Sequence, residues 1–174
     1  MEKSLKFVLA GPVGVGKTTA IGVLGDAGVI STDVPMTQSD GGQKTTTTVA
    51  LDFASVALDH GPPLFIYGLP GQDHFSFMRP ILLHGALGVI LLLRADSPDL
   101  IYECSRWIEI LRSIDDQLAI VIGITHADRN RDFSIQHVRE ALPNAARDLP
   151  VFTFDARDRD QVEHLIRALL VTIG

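Results

Sequence analysis

The chain has 174 residues, of which 46% are hydrophobic, and its formal net charge is −6. This length and apolar content are typical of one compact domain with its own core, here expected to span residues 1–174, and they exclude a mainly disordered chain. The acidic balance argues against nonspecific binding to nucleic acid, because lysine and arginine supply most of that affinity.

Cysteine content and hydropathy indicate where the chain works. Its single cysteine, Cys104, cannot form an internal disulfide, which favours a reducing compartment such as the cytoplasm. The apolar stretch at residues 7–10 is too short for a secretion signal. The most apolar segment, residues 85–93, falls well below the roughly 18 apolar residues of a membrane-spanning helix. A cytoplasmic location without direct membrane insertion is therefore expected.

Strand and helix patterns alternate through the first half of the chain. Residues 5–10 form a short apolar strand that leads into a glycine-rich turn, and residues 17–24 have a helical pattern. The polar stretch at residues 31–44 predicts a long moving loop. Strands near residues 49–53 and 64–67 flank a Gly-Pro-Pro turn and predict an antiparallel pair.

The second half continues the alternation. Residues 86–93 form an apolar strand of the kind that is covered on both faces. Ser97 and Pro98 favour the start of a helix whose apolar face includes Cys104. Asp160 and Glu163 resemble a capping box at the start of the last helix, whose expected apolar face is Val162, Leu165, Ile166, Leu169 and Ile173. The remaining elements are a strand at residues 118–124, a helix near residues 135–142 and a strand at residues 151–154.

This order of elements predicts an α/β fold. We expect a mostly parallel six-stranded sheet with one antiparallel edge strand and helices on both faces. Ligands of such sheets bind at the carboxyl ends of the strands. The residues that follow those ends are therefore the first candidates for a functional site.

The sequence GPVGVGKT, starting at Gly11, fits the pattern G-x-x-x-x-G-K-[ST] between a predicted strand and a predicted helix. Such a loop points backbone N–H groups at phosphate oxygens, while Lys17 reaches the outer phosphates and Thr18 offers a hydroxyl to Mg²⁺. The alternative is a glycine turn that only joins the two elements. The expected nucleotide contacts are Gly11, Gly14, Val15, Gly16, Lys17, Thr18 and Thr19.

Three further stretches follow at compatible distances: Thr48 ahead of Asp52, the sequence GLPGQ at residues 68–72, and the sequence THAD at residues 125–128. With the glycine-rich loop, they make the chain similar to the Ras-like small GTPases over nearly its whole length. The resemblance is strongest to the bacterial branch that works with Roadblock-domain partner proteins. It implies a P-loop NTPase fold and a site for GTP or GDP with Mg²⁺.

The resemblance implies roles for the residues near the γ-phosphate. The Gly71 N–H would sense this phosphate and Gln72 would orient the attacking water, where the family has D-x-x-G-Q. Gly68 replaces the aspartate of that pattern, which puts the metal site and the hydrolysis rate in question. Thr48 is the expected second Mg²⁺ ligand, chosen among four adjacent threonines at residues 45–48. The alternative for these threonines is a plain edge strand.

Base recognition is implied for the loops after the last two strands. Asp128 stands at the aspartate of N-K-x-D, where a carboxylate accepts hydrogen bonds from guanine N1–H and its 2-amino group. Thr125 would brace the loop and His126 would lie along the base. Residues 155–157 match the family's S-A-K stretch, with Ala156 and Arg157 as nucleotide contacts through the backbone.

Three basic residues lie near the predicted loops: Lys44, Arg79 and Arg94. Some relatives complete their transition state with an arginine of their own or of a partner. A solvated surface charge is the simpler interpretation of each of these three.

Together these features predict a guanine-nucleotide switch that hydrolyses GTP slowly and signals to a regulatory or effector protein through two moving loops. Two alternatives stay open. One is a module that binds nucleotide without turnover, which Gly68 favours and Gln72 disfavours. The other is an ATP-dependent P-loop phosphotransferase, for which a lid-like segment after residue 93 is lacking in the sequence.

Overall fold

The computed structural model describes residues 4–36, 45–58 and 60–174. Within these residues, seven strands form one sheet in the order β2-β3-β4-β1-β5-β6-β7. The strands are β1 (Leu5–Ala10), β2 (Asp26–Met36), β3 (Thr45–Val56), β4 (Leu64–Gly68), β5 (Gly88–Arg94), β6 (Ala119–Thr125) and β7 (Val151–Thr153).

Strand β3 runs against both of its neighbours. It pairs with β2 from Asp26 opposite Ser55 to Met36 opposite Thr45, and with β4 through pairs such as Phe53 opposite Tyr67. The pairs β1–β4, β1–β5, β5–β6 and β6–β7 are parallel. The carboxyl ends of these five strands therefore meet at one edge of the sheet.

Helices cover both faces of the sheet. They are α1 (Lys17–Gly22), α2 (Met78–Leu83), α3 (Leu100–Ile114), α4 (Ile135–Ala141) and α5 (Arg159–Ile173), with short 3-10 turns at Asp73–Phe75, Ala127–Arg129 and Asn144–Ala146. Buried side chains of α1 and α5, such as Ile21 and Leu165, share one core. Those of α2, α3 and α4, such as Leu82 and Trp107, share the other. Cys104 is fully buried in this second core, as its helical spacing predicted.

The α/β class, the mostly parallel sheet and the antiparallel pair of middle strands are confirmed. All six predicted strands are present, but the structure adds β2 at the edge, so the antiparallel β3 lies second from the edge rather than on it. Residues 31–36, predicted as part of a moving loop, belong to β2 because their backbone completes the ladder with β3. Residues 37–44 of that predicted loop lie outside the described residues.

Two predicted helix starts were misplaced. Helix α3 begins at Leu100 rather than next to Ser97, whose hydroxyl instead accepts a hydrogen bond from the Asp99 N–H at 3.3 Å. Helix α5 is capped by Asp158, whose carboxylate accepts from the N–H groups of Asp160 and Gln161. A cap two residues earlier places Asp160 inside the helix, so the predicted capping box with Glu163 does not form.

The apolar face of α5 follows its predicted spacing up to the end of the helix. Leu165, Ile166 and Leu169 are buried, whereas the last member of the predicted face, Ile173, is exposed. Among the described residues, none of the helices has the length and hydropathy that a membrane span requires.

Candidate functional site

Two adjoining cavities open at the carboxyl edge of the sheet. One, of about 420 Å³, lies over the ends of β6 and β7, and the other, of about 580 Å³, lies over the ends of β1 and β4. Both volumes are in the range of small-molecule sites. Gly16, Thr19 and His126 line both cavities. The two cavities therefore form one continuous groove, with the glycine-rich loop of residues 11–16 at its centre.

Backbone geometry explains two of the loop's glycines. Gly11 has a φ of 138°, and a Cβ there would lie 2.2 Å from the Leu92 carbonyl oxygen. Gly16 has a φ of 107°, and its Cβ would lie 3.2 Å from the Ala156 Cβ. Side chains are thus excluded by left-handed backbone and by close packing on the neighbouring strand and loop. Val15 buries its side chain in the core, so only its backbone faces this region.

Lys17 is turned back onto the glycine-rich loop. Its Nζ donates to the carbonyl oxygens of Gly11 and Pro12, both at 2.7 Å. Burial lowers the pKa of this ammonium group to about 8, and the nearby carboxylate of Asp52 partly offsets that effect. A desolvated cation of this kind gains stability from an anion placed beside it.

Thr18 and Asp52 form a polar pair in the same cavity. The Thr18 hydroxyl donates to Asp52 Oδ2 at 2.5 Å, which links the start of α1 to strand β3. Both residues line the larger cavity, together with Lys17. Asp52 was used in the sequence analysis only to select Thr48 among the four adjacent threonines, and the contact of Asp52 with Thr18 was missed. The contact crosses from one element to another, so spacing along the chain carries little signal for it.

The segment after β4 lies tightly against the glycine-rich loop. A Cβ on Gly71 would lie 2.8 Å from the Val13 N and 2.9 Å from the Gly11 carbonyl oxygen, so only glycine fits here. Gln72 is exposed and lines the larger cavity with Lys17 and Thr18. The structure thus brings Gly71 against the glycine-rich loop and Gln72 to the cavity that holds Lys17 and Thr18.

Asp73, next to Gln72, ties this segment to the rest of the protein. It accepts from Arg79 Nη2 at 3.1 Å and from Arg106 Nη2 at 2.6 Å, and these arginines lower the pKa of its carboxyl group. Arg79 is only 7% exposed, and its guanidinium lies 4.9 Å from the centre of the Trp107 ring. The expectation that Arg79 is a solvated surface charge was therefore wrong.

Of the other two basic residues, Arg94 also differs from a simple surface charge. Arg94 is half-buried and donates to both carboxylate oxygens of Asp96, at 2.8 and 2.7 Å, and to the Gly14 carbonyl at 3.3 Å. It braces the outer side of the glycine-rich loop. Lys44 lies outside the described residues.

At the end of β6, Thr125 braces the glycine-rich loop as expected. Its buried hydroxyl lies 2.9 Å from the Val15 carbonyl oxygen and 3.2 Å from that of Leu93. Because the hydroxyl proton donates to a carbonyl, the Nδ1–H of His126, 2.9 Å away, donates to the Thr125 oxygen. His126 has a φ of 58°, a left-handed conformation that is strained for a histidine.

Asp128 and the loop after β7 line the smaller cavity. Asp128 is exposed in a 3-10 turn at the cavity wall, and Ala156 is buried beside it. Arg157 donates from its Nε and Nη2 to Asp155, at 2.9 and 2.7 Å, and lowers the pKa of that carboxyl group to about 2. The structure therefore brings the predicted residues of both loops, Thr125, His126, Asp128, Ala156 and Arg157, to one cavity.

Thr48 has a different setting. Its backbone lies in the β2–β3 ladder opposite Asp33, four residues before Asp52, rather than in a loop. The placement of its side chain lies outside what the structure describes, so its role as a metal ligand stays a prediction.

The oxygen donors of the larger cavity fit Mg²⁺. Among the described residues there is no group of three or more His, Cys, Asp or Glu side chains that could hold a metal alone. Mg²⁺ in nucleotide sites needs no such group, because it keeps several waters and binds one or two protein oxygens plus phosphate. The Thr18 hydroxyl and the Asp52 carboxylate are hard oxygen donors of this type.

No protein-family model matches the chain, and no curated protein matches it.

Proposed function

We propose that this chain is a small GTPase of the Ras-like kind, which binds GTP and GDP with Mg²⁺ and slowly hydrolyses GTP to GDP and phosphate. The observation that carries the proposal is the continuous groove. A lysine and a threonine of a G-x-x-x-x-G-K-[ST] loop lie in one half, and Asp128 lies in the other. Phosphates and a purine need two such halves on either side of Gly16.

The phosphate half holds the charged part of the nucleotide. Lys17 exchanges its two carbonyl partners for the outer phosphates, and backbone N–H groups of residues 14–19 receive the rest. Thr18 holds Mg²⁺, with Thr48 as the second predicted ligand. When bound, Mg²⁺ neutralises the charge that develops on the phosphate oxygens.

The base half selects the purine. Asp128 is exposed in the cavity wall, so its carboxylate is accessible to the N1–H and 2-amino donors of guanine. Adenine lacks this pair of donors, so the same carboxylate disfavours ATP. The loop of residues 155–157 completes the wall with its backbone.

Hydrolysis needs a positioned water and a stabilised transition state. Gln72 orients the water from the edge of the phosphate half, and Gly71, packed against the glycine-rich loop, offers its backbone N–H to the γ-phosphate. Neither residue is a strong base, so the rate without a partner is slow, on the order of 10⁻⁴ to 10⁻² per second.

Signalling follows from the segments that border the γ-phosphate. In residues 68–79, Gly71 packs against the glycine-rich loop. The described parts of residues 31–48 belong to the β2–β3 ladder, and the next residues of β3, Val49 and Ala50, line the phosphate half. Loss of the γ-phosphate changes the contacts of these segments and hence the surface that a partner reads. The proposed partner is a regulatory or effector protein, a Roadblock-domain protein by resemblance, and the proposed location is the cytoplasm.

A module that binds nucleotide without hydrolysis is the second candidate. The specific observation in its favour is Gly68, which supplies no carboxylate at the end of β4. The ATP-dependent phosphotransferase is disfavoured by Asp128 in the base half.

The proposal is tested by competition of GTP, GDP, ATP and ADP for the protein in the presence of Mg²⁺, followed by phosphate release with GTP alone. We expect guanine nucleotides to bind at least about 100-fold more tightly than adenine nucleotides, since a site built for base donors rejects an analogue that lacks them. If ATP bound with the same affinity as GTP, the guanine assignment would be contradicted. GTP binding without phosphate release would select the passive module.

The base assignment has its own arm in this experiment. Asp128→Asn should weaken GTP binding and favour xanthosine triphosphate, because the amide donates to the additional carbonyl of xanthine. Asp148→Asn, at an exposed position, removes the same charge and is the matched control. A variant that keeps parental affinity for GTP would remove Asp128 from base recognition.

A further inference from the structure

We infer that Asp52 of strand β3 supplies the carboxylate of the cation site. Gly68, at the neighbouring position on β4, has no side chain that could supply one. The inference rests on the proposed function and names the residue that holds Mg²⁺ together with Thr18. It assigns to this chain a metal site whose acidic residue comes from the strand next to the expected one.

The register of β3 against β4 places the two positions side by side. Phe53 is opposite Tyr67, and the antiparallel ladder therefore sets Asp52 opposite Gly68. A Cβ built on Gly68 would lie 3.2 Å from the Asp52 Cβ and 3.5 Å from Asp52 Oδ2. The Asp52 carboxylate thus occupies the space next to Gly68, where a side chain on β4 would otherwise extend.

The contacts of Asp52 are those of a metal-site residue rather than of a surface carboxylate. Its Oδ2 accepts a hydrogen bond from the Thr18 hydroxyl, which leaves the lone pairs of the threonine oxygen available for a cation. It lines the phosphate half of the groove with Lys17 and Thr19. Because Asp52 is half-buried, its carboxylate lies at the wall of that cavity rather than in open solvent.

The same geometry explains why residue 68 is glycine. A second carboxylate at this position would crowd Asp52 and face a like charge at close range, which is destabilising. A glycine avoids both effects, and the Cβ contact with Ile21 Cδ1 at 3.1 Å shows that the α1 side of the position is also filled. One carboxylate fits between β3, β4 and α1, and in this chain it is on β3.

The test is the Mg²⁺ dependence of release of a fluorescent GDP analogue, with no reliance on hydrolysis. For the parent, Mg²⁺ should slow release relative to release in EDTA. For Asp52→Asn we expect the Mg²⁺ concentration for half of this effect to rise about 10- to 100-fold, as for other residues that orient a metal. Retained binding of the GDP analogue in EDTA shows that the nucleotide site is still folded. Asp148→Asn controls for the lost charge.

A swap variant separates the metal role from a structural hydrogen bond. Asp52→Gly/Gly68→Asp moves the carboxylate from β3 to β4 and removes the Cβ that would crowd it. This double variant should recover most of the Mg²⁺ sensitivity that Asp52→Gly alone loses, because Ile21 contacts the new side chain only with its flexible end.

The possible outcomes distinguish this inference from the proposed function. If the parent binds GDP and Asp52→Asn keeps the parental Mg²⁺ response, the inference is overturned and the proposed function stands. If the swap binds GDP with no more Mg²⁺ sensitivity than Asp52→Gly, the inference is also overturned. A parent that binds no guanine nucleotide overturns the proposed function itself.

Discussion

At the scale of one residue, Lys17 shows how a partly desolvated cation favours the binding of an anion. Its ammonium is held by two carbonyl oxygens, and burial lowers its pKa to about 8 from the ordinary 10.5. Carbonyl dipoles only partly replace the lost hydration of the cation. Phosphate oxygens in the same place supply a full opposite charge and favour the protonated form.

This shift makes nucleotide binding depend on pH. In the free protein Lys17 loses its proton near pH 8, whereas bound phosphate keeps it protonated to higher pH. GDP binding at about pH 8.5 should therefore take up most of a proton, and at about pH 7, where Lys17 is already mostly charged, it should take up only about a tenth of one. Calorimetry in buffers with different ionisation enthalpies measures this uptake.

The contribution of Lys17 to the pH dependence of folding stability has the opposite sign to that of a salt-bridged lysine. Between pH 8 and 10.5 the unfolded chain holds the proton and the folded chain does not, so Lys17 alone makes the free protein more stable as the pH rises through this window.

Lys6→Gln is the control for the proton uptake on GDP binding, because burial also lowers the pKa of Lys6, at the opposite end of β1. Equal proton uptake at both pH values would contradict the role given to Lys17.

Single residues differ in how well sequence predicts them. The glycines at positions 11 and 16 are predictable because their motif encodes a backbone conformation that few other residues adopt. Arg79 and Asp52 were not predictable. Their burial and partners depend on Trp107 and Thr18, which the fold brings from other elements.

At the scale of elements, the segment after β4 is held by its link to α3. Asp73 forms salt bridges with Arg79 of α2 and Arg106 of α3, so the 3-10 turn that follows Gln72 is bonded to both helices. The Arg79 side chain is buried, and its Nε has no hydrogen-bond partner in the described part of the chain. This arginine therefore fixes the position of the segment at a cost in desolvation.

Arg79→Met should release the segment without weakening the fold. Methionine keeps the contact with Trp107 and removes an unsatisfied buried N–H, while Asp73 stays solvated and paired with Arg106. We expect the free energy of unfolding in urea to be unchanged or up to about 2 kcal/mol higher, as for other buried ionic groups replaced by apolar ones. Hydrogen exchange of residues 73–77 should become faster.

The exposed partner provides the comparison for this prediction. Arg106→Met removes a contact at a side chain that is 42% exposed, so it should change the free energy of unfolding very little. A large loss of stability in Arg79→Met, with slow exchange of residues 73–77, would show that the arginine stabilises the core rather than positions the segment.

Strand β2 shows where sequence patterns fail for elements. Residues 31–33 are polar and Pro35 follows them, features that favour a loop. At the edge of a sheet these features are tolerated, because one side of the strand makes no ladder and proline is acceptable there. The pairing with β3 decides the structure of these residues, and sequence patterning carries little signal for that pairing.

At the scale of the whole molecule, the alternation of elements determined most of what could be predicted. Continuous apolar runs such as β5 and β6 must be covered on both faces, and helices with apolar faces are present in sufficient number to do so. Parallel pairing then brings the carboxyl ends together, which fixes the edge where the groove forms. The distance between the two halves of the groove depends on loop conformations that no pattern specifies.

The shared wall of the groove leads to a prediction about the protein as a unit. If one ligand spans both halves, its base contact places its phosphates beside Lys17 at a high effective concentration, so the two contacts reinforce each other. GDP with Mg²⁺ should then raise the melting temperature far more than guanosine and pyrophosphate added together at the same concentration. At a GDP concentration of about 100 times the dissociation constant the stabilisation is roughly 2.7 kcal/mol. In a chain of this size that corresponds to about 5–10 °C.

Variants of the two halves make the comparison decisive. Lys17→Ala should abolish the effect of GDP and of pyrophosphate but leave any effect of guanosine. Asp128→Ala should abolish the effect of guanosine but leave any effect of pyrophosphate. Both should lose nearly the whole GDP shift, because a ligand that has lost one half of its contacts binds no better than a fragment. A mixture of fragments that stabilises as much as GDP would show instead that the two cavities bind independently, in spite of sharing Gly16, Thr19 and His126.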